Sequence, residues 1–327
     1  MVRPKYTPGS TIVLSVKNRS GKQPLAQYLA ARLGIPDAWA LGLLQDNHVT
    51  LDSQPATESH IINLSAGPHV IGVTFPEAWP RHMAATKMLL DIIYEDKQLV
   101  VLNKPAGRVV HPARGHLDNQ TLQNGLRCRY RHLLGQDGVT IGPVHRLDKD
   151  TSGVVVFALT TEAYINLSGQ FANGVPHKRY IAIADGTADF DWYVCDSAIG
   201  PDPLSKGLGK VIAPEDGGKN ARTDFTVLEK GSGWTVVQAE PHTGRPHQIR
   251  IHAKSLGLPL AGDKDYNPAP ERLGIGRQAL HAASLTFVHP ETGERMTCVA
   301  PLADDMAALL RDLGCSLDIT RVFREDV

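Results

Sequence analysis

Cysteine is scarce: Cys128, Cys195, Cys298 and Cys315 are the only 4 among 327 residues, and no two form a C-x-x-C pair. That spacing argues against a zinc knuckle or a disulfide framework and makes a reducing compartment the default. Long apolar runs are missing too. No stretch approaches the roughly 20 residues a membrane helix needs, and the opening MVRPKYTPGS lacks the apolar core of a signal peptide. A cytoplasmic protein with no membrane partner is expected. Net charge is zero, with 34 Lys and Arg against 34 Asp and Glu, so binding a nucleic acid requires locally gathered cations. Val211 follows Gly207-Leu208-Gly209-Lys210 where a Walker loop needs Ser or Thr. Ile212 stands where a dinucleotide fingerprint needs its last glycine. No G-x-S-x-G elbow occurs, which removes most support for a serine hydrolase.

What is present centres on one stretch, His145-Arg146-Leu147-Asp148-Lys149-Asp150-Thr151-Ser152-Gly153, which runs straight into Val154-Val155-Val156-Phe157-Ala158. It sets a carboxylate between cations in a polar turn at the mouth of an apolar strand. A carboxylate so placed stays ionised and is a candidate nucleophile. Thr151 and Ser152 are expected to bond turn amides, and Gly153 admits backbone angles closed to other residues. The run to Leu159 lacks polar alternation and suits a strand covered on both faces. Read locally, a salt-bridged turn before a core strand is the alternative. Cations gather at Arg127, Arg129, Arg131 and His132, at His177-Lys178-Arg179, and at Arg245 with Arg250. Each cluster alone reads as a solvated face.

Periodicity predicts a strand from Thr11 to Lys17, helices from Gln23 to Leu33 and from Pro36 to about Asp46, and strands at 48–52 and 69–75. Pro76 to about Lys87 reads as a linker between a small N-terminal α/β module, 1–80, and a larger domain, 88–316. Strands at 91–95 and 98–103 predict a hairpin turning at Asp96-Lys97. Further helices are expected at 121–134, 161–172 and 246–256. Strands are expected at 154–159, 179–184, 223–229, 234–240, 280–288 and 296–299. Strands predominate and rarely alternate one for one with helices, which favours an α+β domain over a doubly wound sheet.

HRLDKDTSGVVVFA resembles the signature of the RluA-type RNA pseudouridine synthases. Tyr94 to Gly107 with Val110-His111-Pro112 is similar to that family's first motif, Lys178-Arg179-Tyr180 through Gly186 to its third, and His242 through His252 to its fourth. Gly262-Asp263-Lys264-Asp265-Tyr266 and Leu280-His281-Ala282 follow in place. The resemblance spans roughly 91–305 and implies the pseudouridine synthase fold, with a mixed, mainly antiparallel central sheet. It implies isomerisation of specific uridines in structured RNA without metal or cofactor. Large-subunit ribosomal RNA is the implied substrate, tRNA the alternative, and a monomer is favoured. A catalytically silent RNA-binding or ribosome-assembly protein is the rival class. The N-terminal module resembles a ribosomal-protein-S-four-type RNA-binding module, with departures. Pro24 and Ala26 stand where that module carries Arg and Asp, and Pro36-Asp37 replaces its Ser-Arg.

By this resemblance Asp148 is the catalytic nucleophile, with attack at ribose or at base left open. Tyr180 stacks on the flipped base, a phenol of pKa near about 10 being a poor base at neutral pH. Arg250 pairs with the nucleophile, and Arg146 fills the space the base vacates. His145, Lys104, Arg245 and Lys178 are expected to contact RNA. Without the family, Tyr180 reads as a core tyrosine and Arg250 as a solvent-facing arginine on a helix whose buried face holds Ile249, Ala253 and Leu256. Thr243 is expected to help cap that helix. His242, His247 and His252, spaced by five, rotate by roughly 140° from one to the next on a helix and would not converge on one metal.

Overall fold

The computed structural model describes residues 9–16, 21–35, 37–66, 68–76, 85–112, 120–134, 136, 138–202 and 208–322. Lys17, Pro36, Gly207 and most of the expected linker lie outside the described residues. Contacts divide the chain into two compact units, one drawn from 1–88 and 111–131, the other from 89–110 and 132–327. No helix among the described residues is long and apolar enough to cross a membrane.

In the first unit the chain runs β1 (Thr11–Val16), β2 (Lys22–Pro24), α1 (Leu25–Leu33), α2 (Asp37–Gln45), β3 (Val49–Leu51), β4 (Gln54–Pro55), β5 (Ile61–Asn63) and β6 (His69–Thr74). A four-stranded sheet forms in the order β1-β6-β3-β4, and β2 pairs with β5. The first helix starts two residues later than its apolar pattern predicts. Gln23 and Pro24 are instead taken into β2, opposite Ile62 and Ile61. Pro24 has an extended ψ of 133°, so the chain turns helical only after it. Leu25, Leu29 and Leu33 then face a core of Leu43, Ile71 and Phe75, and Gly34 ends the helix in the left-handed region.

The second unit begins with a hairpin, β7 (Ile92–Glu95) and β8 (Leu99–Lys104). Asp96 closes its turn, Oδ1 accepting from the Gln98 and Leu99 amides at 2.7 and 2.9 Å. Next comes α3 (Leu122–Arg129), which belongs to the first unit and is capped reciprocally by Thr121 and Asn124. Back in the second unit follow β9 (Val139–Pro143), β10 (Ser152–Thr160), α4 (Thr161–Ala172), β11 (His177–Asp185), β12 (Trp192–Asp196), β13 (Ile199–Pro201) and β14 (Gly209–Val211). The remainder is β15 (Arg222–Gly231), β16 (Trp234–Pro241), α5 (Gln248–Ser255), β17 (Leu280–Val288), β18 (Arg295–Val299), α6 (Asp304–Asp312) and the short α7 (Ile319–Val322).

Ten strands form one sheet in the order β12-β15-β16-β11-β17-β10-β8-β7, with β18 added on β17 and β9 on β10. Every pairing in it is antiparallel except β10 with β17, where Ser152 lies opposite His281 and Gly153 opposite Ala282. The sheet is thus mixed and mainly antiparallel, in an α+β fold. Strand β10 is buried from Ser152 to Leu159, as its unbroken apolar run requires. Strand β11 divides its side chains by the two-residue period. Ile181 and Ile183 pack with Met306 and Leu309 of α6, whereas Ala182 and Ala184 pack with Ile249 and Ala253 of α5. α5 is thereby pressed onto the sheet beside Tyr180.

Candidate active site

The loop between β9 and β10 carries Asp148, and β10 fixes where that loop ends. Gly153 has φ 110°, and a Cβ there would collide with the Ala282 carbonyl, so only glycine lets β10 approach β17 this closely. Thr151 N–H donates to Asp148 O at 3.1 Å and closes the turn. The hydroxyls do not bond turn amides as expected. Ser152 Oγ lies 2.9 Å from His281 Nδ1, and Thr151 Oγ1 accepts from Gln278 Nε2 at 3.4 Å. The two hydroxyls therefore tie the closed turn to the start of β17.

Arg146 and Lys149, the cations beside Asp148 in sequence, are exposed. The cation that meets the carboxylate comes from α5: Arg250 Nη1 lies 3.4 Å from Asp148 Oδ2. Far from facing solvent, Arg250 is 4% exposed. Its Nε and Nη2 donate to Asp263 Oδ2 and Oδ1 at 2.8 and 2.7 Å, and Nη2 also donates to Asp265 Oδ2 at 2.6 Å. Its guanidinium carbon sits 4.9 Å from the Tyr266 ring centroid. Burial disfavours the charge, but the bonds to Asp263 and Asp265 and the nearby Asp148 outweigh it and raise the Arg250 pKa. Asp263, fully buried, also accepts the Asp265 and Tyr266 amides at 3.1 and 3.2 Å. These two carboxylates were not singled out from sequence as site residues. Two acids flanking a lysine just beyond an arginine-bearing helix are the signal that could have found them.

Tyr180 enters from β11 at a register shift. Arg179 pairs with Ser284 but Tyr180 with Ala282, so β17 carries one extra residue there. Bulges of this kind re-aim neighbouring side chains. Burial, and then the charge of Asp148, push the Tyr180 phenol well above its ordinary range. It stays protonated, which suits a stacking face and not a base.

Asp148, Tyr180 and Arg250 line one cleft of about 690 Å³, together with His145, Arg146, Lys178 and Arg245. His145 Nε2 accepts the Val156 amide at 3.1 Å, and its ring stacks on Phe171 at 4.6 Å. Burial, with Lys178 nearby, lowers its pKa to about 3, so it presents a neutral ring. Lys178 reaches Thr243 O at 3.4 Å, and Arg245 Nε donates to Asn220 O at 2.9 Å. Arg146 makes no hydrogen bond or ion pair among the described residues.

Lys104 is a correction. Expected to contact RNA, it is fully buried and outside the cleft lining. Its Nζ donates to the carbonyls of Pro105, Arg108 and Lys149 at 2.9, 2.6 and 2.7 Å. Burial drives its pKa down to about 7, against the pull of Asp150 and Asp148. It fastens the turn from behind. Arg277, which the sequence did not single out, does the same from β17's approach, donating to Asp150 O at 3.0 Å and to Ser152 Oγ at 3.3 Å.

Thr243 does not cap α5 directly. Its Oγ1 donates to Gln248 Oε1 at 2.6 Å, and His247 occupies the cap position with φ 55°. The three spaced histidines point to separate partners. His242 reaches Asp224, His247 reaches Tyr266, and His252 lies between Thr223 and Ser197 O. Among the described residues no group of three or more His, Cys, Asp or Glu is placed to hold a metal.

A sequence profile described as RNA pseudouridylate synthase matches residues 98–255. The chain is 44% identical over 244 residues to the uncharacterized RNA pseudouridine synthase YlyB of Bacillus subtilis, covering 74% of this chain and 79% of that protein. It is 36% identical over 313 residues to ribosomal large subunit pseudouridine synthase D of Nitrosomonas europaea, covering 92% and 88%. Among solved structures, human RNA pseudouridylate synthase domain containing 4 superposes with a TM-score of 0.57 at 25% identity, covering 68% of this chain and 93% of that one.

Proposed function

The chain belongs to the RluA-type RNA pseudouridine synthases and is an enzyme of that activity, and from this premise we propose that it acts on large-subunit ribosomal RNA with Asp148 as its nucleophile. The named activity of the Nitrosomonas relative, alike over nearly the whole chain, supports that substrate over tRNA. The observation that carries the assignment of Asp148 is its pairing, inside a cleft, with an arginine that two further carboxylates hold in place.

The reaction breaks the bond between uracil N1 and the ribose anomeric carbon and turns the base. It then joins C5 to that carbon, with one proton leaving C5 and one arriving at N1. No electron is gained or lost. Asp148 supplies the nucleophile that keeps the severed base and ribose in one site. Arg250 keeps positive charge beside it, and Tyr180 offers a flat face to a base drawn from its stack, a step that costs roughly a few kcal/mol. Arg146, whose guanidinium has no partner among the described residues, fills the gap left in the RNA, while Lys178, Arg245 and the neutral His145 ring line the path. Residues 1–80 would form the accessory module and 88–316 the catalytic domain, except that 111–131, with α3, clusters with the first unit, in a cytoplasmic monomer.

Asp148→Asn keeps the shape and removes the charge. Release of tritium from RNA labelled at uridine C5 should vanish while the fold, followed by circular dichroism, is kept. Near-normal release from the Asn variant would refute the assignment. Mapping pseudouridines in total RNA with and without the protein tests the substrate, and a site found only in tRNA would overturn the ribosomal reading.

A further inference from the structure

His247 faces the same carboxylate as Arg250. Its backbone lies in the left-handed region, at φ 55° and ψ 19°, a conformation that persists in a non-glycine residue where the surroundings impose it. Two hydrogen bonds hold it here, and a third, longer contact turns its ring toward Asp148. Its carbonyl accepts the Ile251 amide at 2.9 Å and opens α5, its Nδ1 lies 3.0 Å from the Tyr266 hydroxyl, and its Nε2 lies 4.0 Å from Asp148 Oδ2.

The tautomer follows from Tyr266. A phenol has one proton to give. The Tyr266 oxygen already accepts the Gly209 amide at 3.1 Å, and the side chain is buried, so a proton without an acceptor would be costly. Among the described residues His247 Nδ1 is the acceptor in reach, which leaves the ring hydrogen on Nε2, toward Asp148. Burial lowers the imidazole pKa and Arg250 adds to that, while Asp148, Asp265 and Asp263 oppose it. Arg250 Nη1 addresses the same oxygen, Oδ2, and Asp148 Oδ1 receives no donor among the described residues.

We propose that His247 is a positioning residue: locked by Tyr266 with its hydrogen on Nε2, it joins Arg250 in holding Asp148 Oδ2 and leaves Oδ1 as the attacking oxygen. This rests on Asp148 being the nucleophile. The 4.0 Å contact is about 1 Å longer than an N–H···O bond, a looseness that free sites commonly show before closing on substrate.

Three variants separate this role from simple packing, with Asp148→Asn as the reference. His247→Asn tolerates the left-handed backbone but withdraws the donor, His247→Gln returns an amide N–H near the Nε2 position, and Tyr266→Phe keeps the ring beneath Arg250 but frees the tautomer. His247→Asn should lower kcat by about ten- to a hundredfold with KM for RNA within about twofold, the size expected for a misaligned reacting group. His247→Gln should recover most of that loss. Nitrogen NMR of histidine-labelled protein should show the His247 hydrogen on Nε2 in the parent and a mixture in Tyr266→Phe. The proposal fails if His247→Asn turns over normally, if its loss lies only in KM, if Gln and Asn are equally impaired, or if Nδ1 carries the hydrogen. Activity surviving in Asp148→Asn would instead bring down the functional reading beneath it.

Discussion

The turn that carries Asp148 is gripped by two buried arginines whose partners differ in kind. At the front, Arg250 binds three carboxylates: Asp263 through two bonds, Asp265, and Asp148 itself. At the back, Arg277 forms a two-bond pair with Asp305 at 2.6 and 2.7 Å, and its Nη1 serves the carbonyls of Asp150, Gln278 and Leu280. Among the described residues Arg250 bonds carboxylates alone, whereas Arg277 divides its donors between one carboxylate, three backbone carbonyls and the Ser152 hydroxyl. The same side chain can therefore be chemistry in one place and masonry in another, and the identity of its acceptors tells which.

The largest effect should come from setting the two against each other. Arg250→Gln leaves the fully buried Asp263 without its counter-charge and should cost about 3–5 kcal/mol of stability. Adding Asp263→Asn should return much of that stability but not turnover, which should stay down by about 10²- to 10³-fold as a preorganised charge is lost. Arg277→Gln should also lose stability, since each buried carbonyl left unpaired costs about 1–3 kcal/mol. Its kcat, measured while folded, should fall far less. Equal losses of turnover in the two folded variants would erase the distinction between front and back.

Lys104 is a second fastener at the back, its Nζ donating to three carbonyls, and its hold on the fold depends on pH. Its pKa is about 7 in the fold, against about 10.4 for an unfolded lysine. Between those values the unfolded chain binds more protons than the native one, so this group's contribution to stability rises with pH. It is complete above the unfolded value and lost as pH falls through about 7. The stability of the parent minus that of Lys104→Met, from urea unfolding at pH 7, 8 and 9, should therefore grow with pH. A difference that stays flat or shrinks would show that the buried ammonium keeps its proton across that window.

The smallest effect concerns the cations proposed to face RNA. Arg146→Gln should lower the slope of log affinity against log salt by about one counterion. Removing residues 1–80, with six cations (Arg3, Lys5, Lys17, Arg19, Lys22, Arg32) against five acids (Asp37, Asp46, Asp52, Glu58, Glu77), should leave that slope almost unchanged. A larger drop from the deletion than from Arg146→Gln would mean that the module grips phosphates.

Much of the fold could be read from local pattern. The apolar run after Gly153 announced a strand buried on both faces, and Asp96 announced its hairpin turn. Elements without such a pattern escaped: β12 is an edge strand with exposed Trp192 and Tyr193, and β9 holds Gly142 and Pro143. The site was half legible. The family resemblance points to Asp148 and pairs it with Arg250, which lies 3.4 Å away, whereas the residue pattern alone sets Arg250 off the apolar face of its helix and toward solvent. What buries it is a carboxylate 13 positions later that no periodicity encodes. Lys104 misled for the same reason, since one of the carbonyls around it belongs to Lys149, 45 positions away. Residue type is local, whereas burial of a charge is decided by chain segments that meet only in the fold.

The one parallel pairing in the large sheet has a consequence in time. Ser152 meets His281 across 129 positions, and the Asp263 that steadies Arg250 and the Asp305 that steadies Arg277 also come from the later part of the chain. A nascent chain that has just exposed Asp148 thus holds the proposed nucleophile with neither of its clamps. At about 5–20 residues per second the wait for both is on the order of ten seconds. During synthesis, then, the cleft has no assembled intermediate form: the turn that carries Asp148 is among the early parts of the second unit to be made and among the last to be fully clamped.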